Sequence, residues 1–172
     1  MKELLKLARD SIESYFSGKE INLKPYEKFS EKRGVFVTLK IKDELRGCIG
    51  YIKPILPLYK AVFEMARAAA FEDSRFYPLQ KEELKKTEIE ISVLTIPKQI
   101  EADPKNLETG KDGLIIEMNN QSGLLLPQVA AEYNWNAKKF LEQTCIKAGL
   151  QKDSWQNPKC RIYKFQAEIF NE

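Results

Sequence analysis

Residues 34–52 read GVFVTLKIKDELRGCIGYI, and this stretch constrains the fold more than any other. Val35, Val37, Leu39 and Ile41 alternate with Phe36, Thr38, Lys40 and Lys42. Alternation with period two, on β-branched residues, is the signature of a strand with one buried face. Lys42-Asp43-Glu44 is turn material, and residues 45–52 return as a second strand, so the stretch predicts a β-hairpin. One face of that hairpin must be covered, which requires helices or a second sheet nearby.

The segments around the hairpin supply the cover. Leu4, Leu5, Ala8, Ile12, Tyr15 and Phe16 mark an amphipathic helix over residues 2–16. Residues 17–33 are polar, carry Gly18 and Pro25, and read as loop. Pro57 opens a helix on which Leu58, Ala61, Val62, Met65 and Ala69 share a face, and its alanines between 66 and 70 allow close approach to a sheet. SRFYPL, residues 74–79, breaks that helix and QKEELKK forms a short helical segment. TEIEISVLTIP is a strand that puts Ile89, Ile91, Val93 and Thr95 on one face and ends at Pro97.

Beyond residue 98 the chain becomes turn-rich. GLIIE and GLLLP, separated by MNNQS, predict a second hairpin. Pro127 starts a short helix through Tyr133, and Asn136 and Gly149 cap a helix whose inner face includes Phe140, Leu141, Thr144, Cys145 and Ala148. Cys145 therefore reads as a small buried hydrophobe. The last strand, RIYKFQAEIF, alternates Tyr163, Phe165, Ala167 and Ile169 with polar residues. The expectation is an α+β sandwich with a mixed, mainly antiparallel sheet and packed helices. A larger subdomain spans 1–97 and 161–172, and a smaller one spans 98–160.

Composition removes several classes of chemistry. The chain has no histidine, which excludes Ser-His-Asp and Cys-His nucleophilic systems and the HExxH and two-His-one-carboxylate metal sites built from this chain alone. Acid–base work would fall to Asp, Glu, Lys, Tyr or Cys. No paired acidic motif marks a metal site, and no cofactor is expected. The net charge of +3, from 28 basic and 25 acidic residues, argues against a nucleic-acid partner. Three scattered cysteines without a CxxC suggest reduced thiols, and no apolar run reaches membrane-spanning length. The N-terminal residues do not read as a signal peptide, so the expected location is the cytoplasm.

Three stretches could carry function. In LRGCIG, strict alternation puts Arg46, Cys48 and Gly50 on one face, and Leu45, Gly47, Ile49 and Tyr51 on the other. Arg46 and Cys48 then have Cα atoms about 6–7 Å apart, close enough for the guanidinium to stabilise a thiolate. Gly50 would leave a bare patch beside them, and Gly47 a seat for the Ala-rich helix. The alternative is a tight corner with a small buried cysteine. In FEDSRFYP, Asp73 can cap the turn, Arg75 can pair with it or bind an anion, and Phe76 can pack. In GLLLPQVAAEYNW, Gln128 and Trp135 flank a short helix at the presumed subdomain border.

Taken together, LRGCIG, AAAFEDSRF, EISVLT, GKDGLIIE, GLLLPQVA, KFLEQTCIKAGL and the closing AEIF resemble the AMMECR domain family, whose prokaryotic members are called AmmeMemoRadiSam system protein A. The resemblance covers nearly the whole chain in order. It implies an α/β architecture of two subdomains with both termini in the larger one. It also implies a modification pathway shared with a radical-SAM enzyme and a Memo-like protein, its substrate unassigned. By position it marks Arg46, Gly47, Cys48, Ile49 and Gly50, then Asp73, Arg75, Phe76 and Gln128. Ser74 and Tyr77 depart from the usual DPRFPPL. Two functional expectations follow. In the first, Cys48, activated by Arg46, is a nucleophile or covalent carrier, with Asp73 or a tyrosine moving protons and Arg75 holding an anionic substrate. In the second, the protein is a non-catalytic binding module or scaffold for a small anionic ligand, a nucleic acid or its pathway partners.

Overall fold

The computed structural model describes Met1–Glu172. The chain divides into two compact units, one of residues 1–94 and 168–172 and the other of residues 95–167. The fold is α+β, and β-hairpins supply much of its pairing. No helix is long and apolar enough to cross a membrane.

In the first unit, α1 (Lys2–Ser17) and α2 (Leu58–Phe71) pack on a sheet made of β1 (Val35–Ile41), β2 (Glu44–Tyr51) and β3 (Thr87–Leu94). β1 is central, antiparallel to both β2 and β3. Its Val35, Val37 and Leu39 stand beside Ile89, Ile91 and Val93, and all are buried under the helices. Burying each such side chain contributes about 1.5–3 kcal/mol, and this layer is the unit's main stabilising element. α1 ends where Gly18 takes a left-handed conformation and its N–H closes on the Ser14 carbonyl at 2.9 Å. Tyr15 departs from the expected inner face. It is 59% exposed and stacks on Phe71 instead. Residues 24–29, read as loop, form a 3-10 turn that opens with Pro25 and buries Tyr26.

The hairpin turns at Lys42 and Asp43, both with positive φ, as a two-residue turn between twisted strands requires. Its register corrects the strict alternation. Leu39 pairs with Gly47, but Lys40 pairs with Leu45, so Arg46 is an extra residue in β2. This β-bulge moves Leu45 onto the face of Lys40, Thr38 and Cys48, where it is 42% exposed. Arg46 is therefore not the same-face neighbour of Cys48 that uninterrupted alternation implies.

In the second unit, β5 (Asp112–Met118) and β6 (Gln121–Leu125) form a hairpin through Asn119-Asn120, both with positive φ. The connection is shorter than the MNNQS spacer, because asparagine adopts that conformation at little cost. β4 (Lys98–Ile100) and β5 pair with β7 (Arg161–Asn171). α3 (Pro127–Glu132) precedes α4 (Ala137–Lys147), which the Asn136 side chain caps by accepting from the Lys139 N–H at 2.8 Å. Phe140, Leu141 and Cys145 are buried with Leu114, Ile116 and Ile162. The alternation read in β7 does not hold along its length, since Ile162 is buried and Ile169 is exposed. Residues 161–167 serve one unit and 168–172 the other, so one inner face cannot describe the strand.

Candidate functional site

β2 is an edge strand, so alternate N–H and C=O groups along it lack a ladder partner. At Cys48 both outward groups are taken by one ion pair. The Asp73 carboxylate accepts from the Cys48 N–H at 2.8 Å, and Arg75 Nη2 donates to the Cys48 carbonyl at 3.3 Å. Asp73 also accepts from Arg75, from its backbone N–H at 3.2 Å, from Nε at 2.9 Å and from Nη2 at 2.7 Å. The chain can make this clip because α2 ends at Phe71 and a turn follows, closed by Phe76 N–H to the Asp73 carbonyl at 3.0 Å. Asp73 is 6% exposed, whereas 54% of the Arg75 side chain faces solvent. The Arg75 guanidinium holds the Asp73 carboxyl well below the usual carboxylate range, with the Cys48 and Arg75 N–H groups adding to this against the effect of burial.

The Cys48 thiol stands opposite Thr38, whose hydroxyl lies 3.2 Å from Sγ and donates to it. Burial pushes the thiol's pKa up. The Thr38 hydroxyl and the Arg75 charge pull it down, Asp73 and Glu90 push it further up, and the net result is upward. Cys48 is therefore harder to ionise than a free cysteine. Arg46 does not act on it. Its Nε and Nη2 bind the two Glu83 oxygens at 2.8 and 3.0 Å, and Glu83 also accepts from the Gln80 N–H at 2.8 Å. The cation acting on the thiol is Arg75, not Arg46. An Arg46→Gln variant should accordingly leave the alkylation rate of Cys48 by iodoacetamide unchanged at pH 7.5, read by peptide mass spectrometry.

The remaining residues divide between packing and surface. A Cβ on Gly47 would lie 2.1 Å from the Ala69 carbonyl oxygen, so this glycine lets α2 sit directly on β2. Gly50 does not offer the bare patch expected of it, because a Cβ there would meet the Phe36 ring at 2.4 Å. The Phe76 ring has the Arg75 guanidinium 5.5 Å and the Arg46 guanidinium 6.0 Å from its centroid. Arg46, Gly47, Cys48, Asp73, Arg75 and Phe76 thus form one cluster along the β2 edge. Gln128 belongs to the second unit, where its Oε1 is buried without a hydrogen-bond partner, and Trp135 stacks on exposed Tyr133 at 5.0 Å. Thr38 and Glu83 complete the cluster without having stood out in the sequence. The hairpin register carried a signal for Thr38. Glu83 lay in a charge-rich segment with nothing to distinguish it from Glu82. No group of three His, Cys, Asp or Glu side chains is placed to hold a metal ion.

A family model described as AMMECR1 matches residues 5–170. The chain belongs to the AMMECR1 family. A curated relative from Aquifex aeolicus is 46% identical, covering 100% of this chain and 92% of its own length. One from Methanopyrus kandleri is 49% identical, covering 98% and 86%. The crystal structure of an uncharacterised protein from Pyrococcus horikoshii, 45% identical, superposes with a TM-score of 0.90 over 98% of this chain and 89% of that one. The names of these AMMECR1-family relatives state no activity.

Proposed function

We propose that this AMMECR1-family chain works in the cytoplasm as a binding module of a modification pathway, alongside a radical-SAM enzyme and a Memo-like protein. The β2-edge cluster is its recognition surface. Arg75 and Phe76 take an anionic group of the bound molecule, and Cys48 stays a thiol throughout. The observation that carries this reading is the Asp73 clip, which ties down the Cys48 backbone and at the same time orients a half-exposed guanidinium. A carboxylate or phosphate is the chemistry such a guanidinium recognises. The upward-shifted thiol and the engagement of Arg46 by Glu83 count against a resting nucleophile. The slight net charge counts against nucleic acid.

The test is calorimetric titration of each purified pathway partner into the full chain, together with turnover by the reconstituted pathway. Phe76→Ala should weaken the complex about tenfold or more, the usual effect of removing a central aromatic contact. Cys48→Ala should preserve both binding and turnover. Loss of turnover in Cys48→Ala with the complex intact would reinstate the thiol as a reagent.

A further inference from the structure

A cavity of about 630 Å³ lies in the first unit, and none of its lining residues belongs to the Cys48 cluster. One wall comes from the last turns of α1 and the residues just after it, the other from residues 81–85 ahead of β3. Arg9 ties these walls together. Its guanidinium donates to the Leu84 carbonyl at 2.8 Å and the Thr87 carbonyl at 2.6 Å, and Glu172 neutralises it. The cavity is therefore held open by the fold, as small-molecule sites usually are, and its volume is in their usual range.

Its chemistry is uneven. Phe16 and Leu84 give an apolar surface, while Lys19 on one wall and Lys81 and Lys85 on the other line it with a single acid, Glu13. All three lysines are exposed and none is in an ion pair. Lys19 follows the C-terminus of α1, whose partial negative charge accounts for one cation there. It does not account for two more arriving from the opposite wall. We infer that this cavity binds a phosphorylated small molecule with an aromatic or otherwise apolar body. The phosphate sits among the lysine ammonium groups, which suit a multiply charged anion with several acceptor oxygens. The apolar body lies on Phe16 and Leu84, and Glu13 accepts a hydrogen bond from a hydroxyl or amine of the ligand.

The test is a titration of the full chain, followed by amide chemical shifts, with phenyl phosphate, inorganic phosphate and phenol as probes. Phenyl phosphate should shift residues around Phe16 and Leu84, and should bind about tenfold or more tightly than inorganic phosphate, because burial of its ring adds to the ionic attraction. Affinity should fall as salt rises. The Lys81→Gln/Lys85→Gln double variant, with an unchanged melting temperature, should weaken phenyl phosphate about tenfold. The shifts around Phe16 and Leu84 should be the same in Phe76→Ala, which separates this site from the β2-edge cluster. Equal affinity for phenyl phosphate and inorganic phosphate would overturn the assignment, as would undiminished binding by the double lysine variant.

Discussion

Replacing Gly47 by alanine is expected to destabilise the protein by about 3 kcal/mol or more, near the upper end of overpacking effects. The added methyl would stand 2.1 Å from the backbone oxygen of Ala69. A carbonyl fixed in α2 cannot rotate away as a side-chain tip can, so the helix itself must lift. That movement would loosen the contact between α2 and both strands of the hairpin. For a chain of this length, a melting point lower by roughly 6–12 °C should accompany it. The same substitution at Gly18, where nothing lies within 4 Å, meets only the left-handed backbone and should cost about 1 kcal/mol. A melting point within 2 °C of wild type for Gly47→Ala, by circular dichroism (roughly a single kcal/mol or less), would show that α2 does not rest on β2 as described.

The second large effect should come from Asp73. Asp73→Ala leaves the outward Cys48 N–H without its acceptor, opens a small void and frees Arg75 from its orienting partner. The expected loss is about 2–4 kcal/mol, below that of breaking a fully buried pair because Arg75 is half exposed. The pH dependence has a definite sign. The folded protein holds the Asp73 carboxyl below its ordinary value. Its contribution is therefore complete above the unfolded-state pKa of about 4 and is lost as pH falls through the lower, folded-state value. Urea denaturation at pH 7 should thus separate wild type from Asp73→Ala widely, and the gap should narrow from about pH 4 downward. A gap that stayed constant down to pH 2.5 would mean that the carboxylate is not held as described.

The parts of the fold that rest on one buried face were legible in the sequence. Val35, Val37 and Leu39 alternate because the core accepts only one side of β1, and the alanines of α2 pointed to a close helix–sheet contact that Gly47 makes possible. The bulge at Arg46 was not legible. One extra residue beside a glycine leaves no mark in composition, yet it shifts every assignment on the turn side of it, and Leu45 and Arg46 were misplaced as a result. The turn at Asp73 was legible as a local feature, since its carboxylate does accept from the N–H two residues on. Its bond to Cys48, 25 residues away, depends on where α2 ends relative to β2, which no local pattern encodes. Covering of Gly50 by Phe36 likewise depends on the disposition of one ring.

The most direct test of the β2-edge cluster as a holding site is the pH dependence of Cys48 alkylation, resolved from Cys145 and Cys160 by peptide mass spectrometry. The burial that outweighs Thr38 and Arg75 places the midpoint above that of a free cysteine, about 8.5, with slow reaction at pH 7. A midpoint below 7, with Cys48 reacting faster than free cysteine, would contradict the binding-module reading and identify Cys48 as an activated nucleophile.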